Sequence, residues 1–259
     1  MTIPRLTYFP LDHDVVAFSS TRHGGAGCGC YSSFNITHYC GDSPQSVSEN
    51  KSRLASVLHI PAERIVLPRQ THGTEIRVID EAYFALPSHE RENMLEGVDA
   101  VLTRLPETCI GVSTADCIPV LLYDKTHRAV AAIHAGWRGT VKRIVLKAVD
   151  AMSQAYGTRA ADLRAVVGPG ISLESFEVGD EVYREFANQG FDMSAIAKRE
   201  DKWHIDLPEC NRLQLIQTGV SEENILMSDI CTYQQSTDYF SARRLGIASG
   251  RIYTGIMMK

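Results

Sequence analysis

Short apolar runs, cut by glycine, proline and polar clusters, dominate the chain and predict strands. They fall at residues 14–19, Glu75–Ile79, Val98–Leu102, Cys109–Ser113, Ile118–Tyr123, Arg128–Ile133, Leu163–Val167 and Ile252–Ile256. Elsewhere the period becomes helical. Val141, Ile144, Val145, Ala148, Val149 and Met152 lie at i, i+3, i+4, i+7, i+8 and i+11, one helix face. Ser43-Pro44 reads as an N-cap with proline at the first helical position. That helix is expected to reach about Leu58, with Val47, Leu54, Val57 and Leu58 inward, before Pro61. Shorter helices are expected at 180–189 and 206–218, the second opened by Asp206 with Pro208 and closed by Gly219. Residues 21–30 form a glycine-rich loop. Strands come in runs interrupted by helices, so the expected fold is α+β (mixed α/β), with mixed sheets and a central hairpin covered by helices. No repeat, low-complexity tract or linker divides the chain, and 1–259 reads as one domain.

The central hairpin carries the first chemical signal. Two apolar runs, Ile118–Tyr123 and Arg128–Ile133, flank the polar turn Asp124-Lys125-Thr126-His127. Pairing Tyr123 with Arg128 sets Cys117 opposite His134, with Cβ atoms about 5 Å apart on one sheet face. A one-residue slip would put them on opposite faces. Two chemistries use such a pair: a nucleophilic thiolate with its base, and two ligands of a tetrahedral zinc site. A buried thiol beside a structural histidine is the third reading. No Cys-x-x-Cys is present, which argues against a structural zinc finger.

After His134 comes Ala135-Gly136-Trp137-Arg138-Gly139-Thr140 and then the strong helix. A helix N-terminus with glycines and an arginine suits an anion. It is not a P-loop. Upstream, Arg69-Gln70-Thr71-His72-Gly73-Thr74 precedes a strand, and His72 is a potential third partner for Cys117 and His134.

Composition narrows the partners. With 26 basic and 31 acidic residues the net charge is −5, against a general nucleic-acid binder. No apolar run approaches the ~20 residues of a membrane span, and Met1–Leu6 does not read as a secretory signal. A cytoplasmic location is therefore expected, with the seven cysteines as thiols. The oligomeric state is not readable.

Three blocks together resemble the YfiH family: Arg69-Gln70-Thr71-His72-Gly73-Thr74, Thr114-Ala115-Asp116-Cys117-Ile118-Pro119-Val120 and His134-Ala135-Gly136-Trp137-Arg138-Gly139. Gly24-Gly25, Ser33-Phe34-Asn35 and Gly41-Asp42 extend the resemblance towards the N-terminus. Gly168-Pro169-Gly170-Ile171, Phe176-Glu177-Val178-Gly179, Cys231-Thr232, Phe240-Ser241, Arg243-Arg244 and Gly250-Arg251 extend it to the end. The family has been called a laccase-like polyphenol oxidase group, a peptidoglycan editing factor and a purine nucleoside phosphorylase. The resemblance implies that His72, Cys117 and His134 bind one zinc ion and act catalytically, on adenosine, inosine or methylthioadenosine with phosphate, or in adenosine deamination. Arg138, Gly139 and Thr140 are then expected to hold phosphate, with Arg22 or Arg244 completing the clamp. Gln70 orients base or ligand, and Asn35 is a further substrate-binding candidate.

Some features depart from these expectations. The family usually has Asn-Arg in the first helix, and here Asn50-Lys51 stands, with Arg53 nearby. Lysine is a point charge rather than a fork. Cys28 and Cys30 occupy the glycine-rich loop and read as small loop residues. The His-x-Glu and Pro-Cys-x-x-Cys signature of zinc deaminases is absent. Asp116 neighbours Cys117, but adjacent extended residues face opposite ways, so it reads as structural. Nine histidines with no His-x-His pair fit multicopper oxidation poorly, although copper would bind such ligands opportunistically. Two alternatives remain: a cysteine hydrolase or amidase editing peptidoglycan precursors with Cys117 as nucleophile, and a non-catalytic zinc-binding module.

Overall fold

The computed structural model describes residues 3–259, so Met1 and Thr2 of the N-terminal reading lie outside the described residues. In chain order the strands are β1 (Leu6–Phe9), β2 (Val15–Ser20), β3 (Ile65–Val66), β4 (Glu75–Ile79), β5 (Val98–Thr103), β6 (Cys109–Thr114) and β7 (Ile118–Asp124). They continue with β8 (Ala129–Ala135), β9 (Leu163–Val167), β10 (Glu177–Val178), β11 (Ala197–Arg199), β12 (Trp203–Ile205), β13 (Ile225–Met227) and β14 (Ile252–Met258). The α-helices are α1 (Pro44–Leu58), α2 (Glu81–Ala85), α3 (Ser88–Met94), α4 (Trp137–Val141), α5 (Ile144–Tyr156), α6 (Asp180–Asn188), α7 (Met193–Ile196), α8 (Leu207–Thr218) and α9 (Ala242–Leu245).

Two mixed sheets form the frame, in the orders β1-β2-β14-β6-β3 and β13-β9-β7-β8-β5-β4. A small antiparallel sheet, β10-β12-β11, stands beside them. Strand side chains alternate between faces, and the burial follows that rule. Leu121, Tyr123, Val130 and Ala132 of the larger sheet pack on Ala17, Ile110, Val112 and Ile256 of the other. The opposite face of the larger sheet, with Val120, Leu122, Ala131 and Ile133, packs on Ile144, Val145, Ala148 and Met152 of α5 and Leu215 of α8. α1 covers the outer face of the five-stranded sheet through Leu54, Ala55 and Leu58. Both faces of each sheet are covered, which is why β5 to β8 are apolar runs rather than alternating ones.

The hairpin forms at the centre of the larger sheet, but two residues out of the expected register. Ile118 pairs with Ala135 and Pro119 with His134. The turn is Lys125–Arg128, because buried Asp124 accepts hydrogen bonds from the amides of Thr126 (2.9 Å) and His127 (3.0 Å), which keeps Asp124 in the strand. The strong helical period is split. Arg143 adopts a left-handed conformation (φ 61°), so Val141 ends α4 and Ile144 begins α5, although both stay in one core. Asp206 caps α8 and Gly219 closes it at φ 103°, as its sequence predicts. Ser43 makes no side-chain cap bond, and Val57 is only half-buried, with Ala55 taking the inner position. The pieces not foreseen are short: β1, β3, β10 to β13, α2, α3, α7 and α9. Among the described residues no helix is long and apolar enough to cross a membrane.

Candidate metal centre

The site lies where β6 of one sheet passes to β7 of the other. Ala115, Asp116 and Cys117 make that crossing, and Asp116 turns the chain with φ 87°. His134 belongs to β8, between β7 and β5. Because Pro119 is paired with His134, Cys117 lies two residues further on the same side, a diagonal neighbour. The two-residue shift preserves parity, so thiol and imidazole still meet, though not as directly opposed residues.

On the other side of β8, Ala100 pairs with Ile133, so the next residue, Asp99, faces His134. Asp99 is also the extra residue of a bulge in the β4–β5 ladder, where Glu75 pairs with Val98 but Ile76 with Ala100. Its fully buried carboxylate accepts from His134 Nδ1 at 2.7 Å. It also accepts from the backbone N–H groups of His72 (2.9 Å), Gly73 (2.7 Å) and Thr71 (3.3 Å). One carboxylate therefore orients His134 and shapes the loop that presents His72. Burial alone would raise the Asp99 carboxyl, but His134 and the backbone donors hold it below its ordinary range.

His72, with φ 62°, completes the cluster. One ligand atom from each of His72, Cys117 and His134 lies within 4.8 Å of the others. The histidine rings sit edge to face, with centroids 4.8 Å apart. The donor set fits a borderline-soft divalent ion such as zinc. His134 donates its Nδ1–H to the Asp99 carboxylate, so Nε2 is the atom that would meet a metal, as in carboxylate–histidine–metal sites. Gly136 leaves a cradle beside the cluster: a Cβ there would lie 2.8 Å from His72 Cδ2 and 3.1 Å from Cys117 Sγ.

Burial alone would raise the Cys117 thiol. His134, through charge and hydrogen bond, and then His72 outweigh it and bring the thiol down to about 6. His134 moves the other way: burial would lower it, but Cys117 and Asp99 raise it. In metal-free protein the Cys117 thiolate is therefore expected to form near pH 6. Ultraviolet titration of the thiolate, with Cys117→Ala as the blank, checks this, and a midpoint near the ordinary ~8.5 would contradict it. Metal binding must displace the His134 proton, held up to about 9, as well as that of Cys117, so metal affinity should weaken as pH falls from about 9 and more steeply below about 6.

The cluster opens on a cavity of about 590 Å³, within the range of small-molecule sites. Its polar wall includes Tyr39, Gln70, Ser113, Thr114, Arg243 and Arg251, and its apolar wall Trp137, Ile171, Phe176 and Ile247. The sequence-derived substrate residues are placed unevenly around it. Gln70 lines it, but its amide bonds the backbone of Ser113 in both directions (2.7 and 2.9 Å) and holds the His72 loop on β6. Arg138 points outward, its guanidinium over the Trp137 ring. Gly139 and Thr140 are buried against neighbouring elements, Thr140 bonding Asn211 and Gln214 of α8. Arg22 donates to the carbonyls of Ser32 and Ser236. Asn35 is buried, tying Asp42 to the Arg251 amide. Arg244 lies over Tyr233 and is not on the cavity wall. The cations at the cavity are Arg243 and Arg251, neither named as a substrate residue from sequence.

Arg251 is used on the carbonyls of Ile247, Ser249 and Gly250. Asp116 bonds Thr232 Oγ1 and the Arg243 amide, each at 2.7 Å, so it positions Arg243 at the cavity. Asn50 accepts from the Ala26 amide and donates to the carbonyls of Ser33 and Asn35, which anchors the glycine-rich loop. Lys51 lines a separate cavity with Arg91, while Arg53 pairs with Glu49 and donates to the Gly24 carbonyl. Cys28 and Cys30 are exposed. Sequence reasoning missed Asp99. Its signal is a lone carboxylate inside the apolar run Val98–Leu102, where burial demands partners.

Residues 16–259 match the family described as multi-copper polyphenol oxidoreductase laccase. A purine nucleoside phosphorylase of Bacteroides thetaiotaomicron is 49% identical over 244 residues, covering 93% of this chain and 90% of that protein. Adenosine deaminase RL5, from an unknown prokaryotic organism, is 44% identical over 248 residues, covering 95% and 94%. The crystal structure of the Bacillus licheniformis hypothetical protein YfiH superposes with a TM-score of 0.91 at 28% identity, covering 99% of this chain and 97% of that one.

Proposed function

This chain belongs to the laccase-like YfiH family, and from that premise we propose that it is a zinc-dependent purine nucleoside phosphorylase. The observation that carries the reading is the His72–Cys117–His134 cluster, held by Asp99 and opening on a cavity with a cation and apolar walls. The names of its relatives as phosphorylases and a deaminase support the substrate class. His72, Cys117 and His134 would hold one zinc ion, which supplies a Lewis acid for a phosphate or substrate oxygen.

The chain's own groups divide the remaining work. Ile171, Phe176, Trp137 and Ile247 offer apolar surface to the purine. Arg243, fixed through its amide by Asp116 and through one guanidinium N–H by the Glu177 carbonyl (3.0 Å), offers its remaining N–H groups to phosphate. The glycosidic C1′–N9 bond breaks as a phosphate oxygen bonds to C1′, and the base leaves with the proton that the hydrogen phosphate gives up. Holding phosphate and nucleoside together in one cavity supplies the orientation that this displacement needs.

The test is adenosine incubated with and without phosphate, with products separated chromatographically. Adenine and ribose 1-phosphate formed only with phosphate support the proposal. Inosine formed without phosphate would replace it with deamination, the activity named for the second relative. Full activity after metal removal would favour the Cys117 hydrolase reading instead. A multicopper site fits less well, since among the described residues His72, Cys117 and His134 are the one ligand group combining histidine and cysteine.

A further inference from the structure

We propose that the Thr114 hydroxyl binds the 2′-hydroxyl of the nucleoside ribose, an inference that rests on the nucleoside reading above. Thr114 ends β6 and is 1% exposed, yet it lines the cavity. Its Oγ1 has no hydrogen-bond partner among the described residues. A hydroxyl shut away from water without a partner is unfavourable, and one on a cavity wall has the cavity's occupant as its natural partner.

The other polar groups on that wall are already engaged. Tyr39 Oη donates to Gln70 Oε1 at 3.1 Å. Gln70 is spent on the Ser113 backbone, and Ser113 Oγ bonds Thr37 Oγ1 at 2.5 Å. Asp116 holds Thr232 and the Arg243 amide, and Arg251 caps three carbonyls. Arg243 already donates one N–H to the Glu177 carbonyl, and Thr114 is thus the neutral wall side chain with its capacity to donate and accept unspent.

Position selects the sugar. Thr114 lies three residues before Cys117, on the segment that delivers the sulfur to the metal cluster. The apolar surface of Ile171, Phe176 and Ile247 suits the base. The anomeric carbon must sit between base and phosphate, near the metal ligands. The ribose group next to that carbon is the 2′-hydroxyl, which a hydroxyl side chain can meet as donor or acceptor. A contact beside the reacting carbon can also strengthen as the sugar gains oxocarbenium character.

The experiment compares wild type, Thr114→Val and Thr114→Ser on adenosine and 2′-deoxyadenosine, in metal-loaded protein with phosphate present. Thr114→Val keeps the shape and removes the hydroxyl. It is expected to lower kcat/KM for adenosine about 10- to 100-fold, while Thr114→Ser stays within about threefold. Wild type should lose a similar factor on 2′-deoxyadenosine, and Thr114→Val should lose little more on that substrate, because the partner hydroxyl is already gone. Losses that multiply independently, or full adenosine activity in Thr114→Val, would overturn this inference and leave the nucleoside reading intact. Wild type that neither binds nor cleaves adenosine would overturn both. Metal content and circular dichroism check that the valine variant folds. If it does not, the wild-type comparison of the two nucleosides decides, and equal kcat/KM for both overturns the assignment.

Discussion

Asp99→Asn is expected to lower metal affinity by about 10- to 100-fold, the usual cost of removing the carboxylate behind a ligand histidine. The reason lies in how many groups Asp99 serves. One oxygen accepts from His134 Nδ1 and the His72 amide, and the other from the Gly73 and Thr71 amides. An asparagine keeps one acceptor oxygen and turns an N–H donor towards two N–H donors. It also removes the buried charge facing His134. The metal-free fold should lose about 3 kcal/mol, as when one partner of a buried pair is removed. Chelator competition measures the first effect and denaturant unfolding of metal-free protein the second. Wild-type metal affinity in Asp99→Asn would show that His134 needs no such support.

Gly136→Ala should separate geometry from chemistry. The backbone at 136 has φ −67° and ψ 166°, which alanine adopts without strain. The added Cβ would meet His72 Cδ2 at 2.8 Å, Cys117 Sγ at 3.1 Å and His134 Cε1 at 3.7 Å. All three ligands remain, but they must spread to admit it. Turnover is expected to fall about 100-fold, the scale of a displacement of about 1 Å at a reacting centre. Metal-free stability should change far less. Steady-state kinetics beside unfolding of the metal-free protein checks the split. Unchanged turnover would mean that the ligands give way freely and the cradle is not part of the site.

These two residues also show how far the site was legible in sequence. Cys117 and His134 were brought together by hairpin logic, and the meeting survived a wrong register because the shift was two residues, not one. The turn moved by one residue because the Asp124 side chain bonds the loop amides, a local choice that alternation does not encode. Asp99 was missed because its place opposite His134 follows from the β5–β8 pairing, and the bulge it makes against β4 leaves little trace in an apolar run. The anion-site reading of residues 134–140 rested on a glycine-bearing turn, but Arg138 turns outward onto Trp137 and Thr140 packs into α8. Arg243 reaches the cavity from the far end of the chain through Asp116, a contact between residues 127 apart. The larger strands and helices were readable because both sheets are buried on both faces. The small β10-β12-β11 sheet was not, since strands of two or three residues carry no period.

The most direct test of the central claim is the metal content of protein purified without chelators or added metal, measured for wild type, Cys117→Ala and His72→Ala beside their phosphate-dependent release of adenine. The account predicts about one zinc per chain in wild type, loss of zinc in both variants, and adenine release that disappears with it. Stoichiometric zinc retained in Cys117→Ala, or full phosphorolysis by zinc-free wild type, would contradict the claim that His72, Cys117 and His134 form the metal centre of a nucleoside phosphorylase.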